Sequence, residues 1–512
     1  MVSEPQITVR ILILLLLVAS TVAMATKWVR VPYTLALVMV GLVISPMHFL
    51  PVVHVSPDLI LLIFLPALLF EAAWNLRLDH LRRNLLPILM LAVPGVVLST
   101  GVIGVALHFG LDLSWRAALL FGAMISATDP VSVLALFRKL SLPSRLTTIV
   151  EGESLFNDGT AVVVFRIVLG AAAGTTAGGL AMESIREFVV VVAGGMLVGA
   201  AVGLVASFLT SYFDDHLLEI TLTTIAAYGS FLLSEELHVS PVIGVLATGL
   251  LIGNYGREKG MSPPTQVAVN SFWEYAAFVV NSLVFLLIGL EIQVTALTDH
   301  VLWVTWAVGA ALAARALGVA LLMPVTNAFG GGVPFRWQPI LFWGGLRGSL
   351  SIALVLSLPA SIPERPQLVT MIFGSVIFSL LVQGLTISPL LGWLGFAQPE
   401  PRWREQELIE GRILANAASR AELQSMYHRG DITEPVFRAI EKDLAREGEQ
   451  LRQIEMTDSD LESRQLTRAQ QHLAAVKKAR LADLFREGML SEAVHRQLRQ
   501  ELDWEQPKSD HD

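Results

Sequence analysis

The stretch "VEGESLFNDGTAVVVF", Val150–Phe165, places Glu151, Glu153, Asn157 and Asp158 in or beside an apolar run that suits a membrane. A charged side chain at the bilayer centre costs about 2.5 kcal/mol or more, so a chain that keeps one there usually has a use for it. Helical spacing puts positions 151, 154 and 158 on one face, so Ser154 and Asp158 can approach the same ion. Glu153 and Asn157, also four apart, form the neighbouring stripe. An acid, a hydroxyl and a second acid make the mixed oxygen set that a hard cation such as sodium prefers. Desolvation favours the neutral form of a carboxylic acid, so Asp158 can take a proton instead of a cation. One carboxylate contested by two ions is sufficient for exchange, provided the empty charged form does not cross.

Four further apolar runs carry charge: Glu71 in "LIFLPALLFEAAWNL", Asp129 in "GAMISATDPVSVLALF", Arg315 in "GAALAARALGVALL" and Arg347 in "FWGGLRGSLSIAL". Pro130 cannot donate a backbone hydrogen bond, while Asp129 or Thr128 can cap a helix that starts at Pro130. A helix break is therefore expected there, leaving carbonyls that can meet a cation beside Asp129. A Pro-kinked structural helix capped by Asp129 is the competing reading. The glycines at 344, 345 and 348 around Arg347 mark a second interruption. Two interrupted spans in corresponding halves point to a transporter with inverted repeats and a site at their interface.

The elements that position these residues follow from composition. The chain has 512 residues, 54% hydrophobic and 16% charged, with a mean hydropathy of +0.60. It is a polytopic membrane protein. It contains no cysteine, which excludes disulfides, thiolate nucleophiles and Cys-ligated metal centres. Apolar windows predict about 13 transmembrane helices, at 7–26, 32–50, 57–75, 86–110, 114–137, 146–170, 186–210, 216–234, 239–254, 271–292, 300–324, 335–359 and 367–394. Spans one to six and eight to thirteen would be the two inverted repeats, with the seventh as their link.

The fold class expected is thus an all-α polytopic membrane protein with broken crossing helices, residues 1–397, followed by a charged cytoplasmic helical tail, 398–512. Lys27, Arg30, Arg77, Arg82, Arg83, Arg138, Lys139, Arg145, Arg257, Lys259 and Arg336 fall in alternate loops, against Arg116, Arg186 and Arg365 in the others. That bias puts the N-terminus outside and the tail inside the cell. The first apolar run resembles a signal peptide, but its flanking charges fit a retained helix better.

At its charged spans the chain closely resembles the NhaP and NHE-type sodium/proton exchangers, the electroneutral branch of the cation:proton antiporters. The matching stretches are "FEAAWNL", "ATDPVSV", "EGESLFNDG", "FWEYAAFVVNSLVFLLIGLE" and "GGLRGSLSIAL". The resemblance implies thirteen helices, a core domain moving against a dimerisation domain, and a homodimer in the inner membrane. It makes Asp158 the carrier of cation and proton, with Ser154, Asp129, the Thr128 backbone and Glu71 around the ion. Asn157 would be its neutral partner, implying one cation exchanged for one proton. Glu153 would pair with an intramembrane arginine. Arg315 is favoured, because its span has no acid of its own, leaving Arg347 to neutralise carbonyl ends at the twelfth-span break. Glu151 has no assigned role. The transported Na+ and H+ would be substrates; no cofactor and no nucleic-acid partner are expected.

The tail contains a duplication: "MYHRGDITEPVFRAIEKDL" from Met426 and "LFREGMLSEAVHRQLRQEL" from Leu484 align without gaps. Gly430 and Gly488 read as helix C-caps, and Thr433 and Ser491 as the next N-caps. Each copy would be a helical hairpin serving dimer packing or sensing an unknown ligand or protein. Beyond Na+, transport of Li+ or K+ stays open, a K+/H+ antiporter being the nearest alternative. A cation channel, or a membrane sensor signalling through its tail, are the other classes. No selectivity-filter loop or nucleotide-binding loop supports a channel or an ATP-driven pump.

Overall fold

The structure is a computed structural model. It describes residues 4–45 other than 27 and 29–31, then 59–129, 133, 134, 136, 137, 140, 142–172, 180–212, 215–292, 294–359, 361–396, 401–455 and 494. The chain divides into two compact units, Met1–Ala397 and Gln398–Asp512. The described residues form helices and no strands. Such a solution suits lipid, which cannot answer an open backbone donor or acceptor.

The first unit runs through α1 (Glu4–Thr26), α2 (Tyr33–Ile44), α3 (Leu65–Asn75), α4 (Leu85–Ala92), α5 (Pro94–Leu111), α6 (Trp115–Ser126) and α7 (Ser144–Ala172). It continues through α8 (Leu180–Thr210), α9 (His216–Glu236), α10 (Pro241–Leu251), α11 (Pro263–Glu291) and α12 (Val301–Ala328). The last four are α13 (Gln338–Trp343), α14 (Ser349–Leu356), α15 (Arg365–Phe378) and α16 (Gly384–Trp393). Seven helical stretches among the described residues are long and apolar enough to cross a membrane by themselves, and shorter apolar helices accompany them.

Local chemistry sets many of the ends. The Ser114 and Ser240 hydroxyls accept the free N–H groups of Ala117 and Ile243 at the starts of α6 and α10. The Asp215 carboxylate does the same for Leu217 and Leu218 at the start of α9. The window expected at 86–110 is jointed at Val93, because Pro94 supplies no donor to the turn before it. The window expected to begin at 271 begins earlier, at Pro263, where a proline is tolerated in the first turn. Its polar first half also has partners: Asn270 Oδ1 accepts a 2.5 Å hydrogen bond from Trp74 Nε1. Wider π turns lead into α3 (Leu59–Phe64), follow α10 (Ile252–Gly256) and join α15 to α16 (Ser379–Gln383).

Two seams bring backbones into direct contact. On α8, Gly195, Gly199 and Gly203 recur every four residues against α10, the small-residue pattern that lets membrane helices approach closely. A Cβ on Gly195 would lie 2.5 Å from the Ser240 carbonyl oxygen, and one on Gly199 would overlap that of Gly244. Thr248 Oγ1 donates across this seam to the Gly199 carbonyl at 2.9 Å. The second seam joins α2 to α11, where a Cβ on Gly41 would lie 2.6 Å from the Leu286 oxygen and one on Gly289 would meet Val38. Ser45 Oγ donates to the Leu290 carbonyl at 2.8 Å, and the Tyr33 and Ser282 hydroxyls share a 2.7 Å hydrogen bond.

In the second unit, α17 (Pro401–Arg429) and α18 (Glu434–Glu455) form a hairpin. Gly430 takes φ +79°, a conformation that suits a residue without a Cβ. It lets the Asp431 N–H reach back to the Met426 carbonyl at 2.9 Å and close the helix end. Tyr427 then stacks on Phe437 with ring centroids 4.6 Å apart. The second copy of the duplicated hairpin, from Leu484, lies outside the described residues apart from Val494.

Substituting Gly199→Leu should separate α8 from α10. Overpacking of this kind costs about 1–3 kcal/mol, so the apparent Tm in detergent is expected to fall by about 1–3 °C. Gly229→Leu, where a Cβ meets nothing within 4 Å, serves as the control and should change little.

Candidate functional site

The fifth span leaves the helix after Ser126, and Ala127 is already extended at ψ 137°. Pro130 lies outside the described residues, but the break falls at the "ATD" that precedes it. The twelfth span is open from Gly344 to Gly348, between α13 and α14. The two breaks lie against each other: the Asp129 N–H donates to the Leu346 carbonyl at 2.7 Å. Gly348 is required here, since a Cβ would collide with the Asp129 side chain.

Arg347 lies at this crossing and is buried. The expectation that it serves carbonyls of its own break needs correction. Its Nη1 donates to the Ser126 and Ala127 carbonyls at 2.9 and 3.3 Å, across the crossing at the C-terminus of α6. Its own span's break is held differently, the Arg347 N–H donating to Ser379 Oγ at 2.7 Å. The physical reason is proximity: the breaks pack together, and the negative end of α6 offers a cation two unsatisfied carbonyls.

The two stripes on α7 face different partners. Glu153, 1% exposed, takes a two-pronged pair from Arg315 of α12, with Nη1–Oε1 at 2.8 Å and Nη2–Oε2 at 2.9 Å. Arg315 also donates to the Leu341 carbonyl from Nη2 at 2.8 Å and from Nε at 3.1 Å. Gly345 permits this approach, because a Cβ there would lie 3.1 Å from Arg315 Nε. Asn157 joins this pair to the crossing. Its Nδ2 donates to Glu153 Oε1 at 3.2 Å and to Thr128 Oγ1 at 3.0 Å. An aspartate at 157 has no N–H to give and would set a second carboxylate against Glu153.

The other stripe faces a cavity of about 440 Å³. Glu71, Thr128, Asp129, Ser154 and Asp158 all line it, which brings together the residues grouped around the ion in the sequence. Thr128 Oγ1 and Ser154 Oγ are 2.9 Å apart, so either hydroxyl can donate to the other. Asp158 Oδ1 is buried and has no hydrogen-bond partner. Glu71 is steadied by Asn75, whose Nδ2 donates to Glu71 Oε1 at 2.7 Å. Glu153, Asn157, Arg315 and Arg347 do not line this cavity.

Sequence reasoning did not find the far wall. Tyr33 and Thr34 of α2, with Glu274, Phe278 and Asn281 of α11, line the same space, as does Glu151. Positions 274, 278 and 281 follow the three-and-four spacing of one helical face, a signal that was readable in "FWEYAAFVVNSL". Tyr33 stacks on Phe278 at 5.4 Å, fixing the apolar part of that wall. The cavity therefore gathers five acids, Glu71, Asp129, Glu151, Asp158 and Glu274, and no Lys, Arg or His among the described residues that line it.

A family profile described as sodium/hydrogen exchanger, transmembrane, matches residues 12–393. The chain is 44% identical over 385 residues to the Na(+)/H(+) antiporter ApNhaP of Aphanothece halophytica, covering 75% of this chain and 74% of that one. It is 40% identical over 498 residues to the Na(+)/H(+) antiporter NhaG of Bacillus atrophaeus, covering 93% of each. Its fold is similar to that of the sodium proton antiporter MjNhaP1 from Methanocaldococcus jannaschii, with a TM-score of 0.64 at 21% identity, over 77% of this chain and all of that one.

Glu153→Gln and Arg315→Gln should each lower the apparent Tm sharply, since breaking a buried pair from one side costs about 3–5 kcal/mol. The double variant is expected to lose clearly less than the sum of the two. Additive losses in a thermal-shift cycle would mean that the pair contributes no coupling.

Proposed function

We propose, for a chain that belongs to the sodium/hydrogen exchanger family, that it is a secondary transporter exchanging Na+ for H+ across a membrane. The observation that carries this reading is Asp158: an acid beside the helix crossing, lining the cavity, with a buried Oδ1 that no hydrogen bond occupies. A carboxylate so placed is stabilised either by a proton or by a cation. Asp129, Ser154, Thr128 and Glu71 supply further oxygens of the kind a hard monovalent cation takes. Protonation of Asp158 removes the charge that holds the cation, and arrival of the cation displaces the proton.

Asn157 argues for an electroneutral exchange of one cation for one proton. Its amide is committed to Glu153 and Thr128, and it contributes no second titrating charge. Glu153 and Arg315 neutralise each other within the protein and carry nothing. A 1:1 exchanger is insensitive to the membrane potential, which would otherwise contribute about 2.3 kcal/mol per charge at 100 mV. One pH unit supplies about 1.4 kcal/mol and can sustain roughly a tenfold cation gradient.

Thirteen crossings in two inverted repeats, with the N-terminus outside and the tail in the cytoplasm, fit the loop charges and the paired breaks; a homodimer in the inner membrane is what the family resemblance adds. The tail hairpins would then serve dimer packing or regulation.

Proteoliposomes containing a pH-sensitive dye provide the test. Added Na+ should drive proton movement, and Asp158→Asn should abolish it, while Li+ and K+ arms define selectivity. Absence of cation-dependent proton movement in the wild type, or its full survival in Asp158→Asn, would remove the proposal. With valinomycin and K+ clamping the potential, the rate should not change as the potential is varied; a dependence would remove the 1:1 stoichiometry alone.

A further inference from the structure

At the crossing, and sharing no described lining residue with the large cavity, lies a second and much smaller space of about 20 Å³. It is lined by Arg315 and Arg347, and by Ser375, Ser379 and Gln383 from α15 and the π turn that follows it. Its remaining walls are apolar or backbone, chiefly from α12. A cavity needs about 10–15 Å³ of such space and two to four polar partners to hold a water molecule. This one meets both requirements.

The polar groups around it are unevenly satisfied. Ser379 Oγ accepts the Arg347 N–H, and Gln383 Nε2 donates weakly to the Trp343 carbonyl at 3.4 Å. Ser375 is 3% exposed, and its Oγ has no hydrogen-bond partner. Leaving a buried hydroxyl unmatched costs about 1–3 kcal/mol. An alanine at that position would avoid this penalty at little change in volume. An unmatched hydroxyl and two arginine side chains thus line one space of a single molecule's size.

We propose that this space is a specific site for one buried water molecule, which donates to Ser375 Oγ or accepts from it and accepts from an arginine of the crossing. The water links α15 to the crossing without a covalent side-chain strut. Arg347 keeps its Nη1 contacts with the Ser126 and Ala127 carbonyls while a small, replaceable molecule satisfies the polar groups behind it. The inference does not depend on which cation is carried, or on whether exchange occurs.

The test uses the full chain in nanodiscs, by electron cryomicroscopy at a resolution that shows ordered solvent, with thermal-shift measurements on the same preparations. One non-protein peak is expected within hydrogen-bond distance of both Ser375 Oγ and a guanidinium nitrogen. It should be absent in Ser375→Val, whose methyl groups fill the space. Ser375→Ala should lower the apparent Tm by about 1 °C, the shift that one lost hydrogen bond gives in a chain of this length. In a dry pocket the sign reverses, because removing an unmatched hydroxyl is neutral or stabilising. No peak in the wild type, a peak that bromide replaces and so marks an anion, or a Ser375→Ala variant at or above the wild-type Tm would each overturn the proposal.

Discussion

A backbone that leaves the helix inside a membrane has to find its hydrogen bonds in protein, and most of this structure follows from that requirement. Two spans leave the helix, and each answers the other. Leu346 offers its carbonyl to Asp129, while Arg347 covers the carbonyls that α6 exposes where it stops. Neither break is stable alone in lipid, so the crossing exists as a pair. Gly348 is needed because the approach leaves no room for a Cβ beside Asp129, and Gly345 lets Arg315 pass more closely than a Cβ would easily allow.

This crossing also divides the charges by task. On one side, Glu153, Arg315 and Asn157 form a closed network in which every strong charge has a direct partner. On the other, the acids face a cavity of about 440 Å³ with no cationic side chain among the described residues of its lining. Charges of the first kind stabilise a unique arrangement; those of the second are left to interact with something that arrives. Thr128 is the link between them, bonded to Asn157 on the closed side and to Ser154 on the open side. A change in what occupies the cavity is therefore one hydrogen bond away from the buried ion pair.

The elements that act locally were legible in the sequence. Asp129-Pro130 and the Gly344–Gly348 run announce interruptions because proline and glycine act on their own backbone. The faces of α7 separate 154 and 158 from 153 and 157 by helical spacing alone. What stayed hidden depends on which distant surfaces meet. The reach of Arg347 to α6 follows from the crossing, and nothing near position 347 encodes Ser126. Glu274 and Asn281 look like ordinary polar positions until α2 and α11 close one wall of the cavity. The early start of α11 was missed because Gln266 and Asn270 break the apolar count, although the Arg257 and Met261 carbonyls and Trp74 accommodate them. The glycine repeat on α8 was present at 195, 199 and 203, but its partner was not.

The seam between α2 and α11 has a consequence for how the cavity can change shape. There, Gly41 and Gly289 bring main chain onto main chain, with side-chain bonds from Ser45 and Tyr33 on either side. Side chains can yield by rotating about their χ angles, whereas backbone pressed on backbone has no such compliance. The wall that carries Tyr33, Phe278 and Asn281 thus behaves as a single stiff plate. Widening or narrowing around Asp158 then alters the distance between this plate and the elements that carry the acids, and leaves the shape of the plate unchanged.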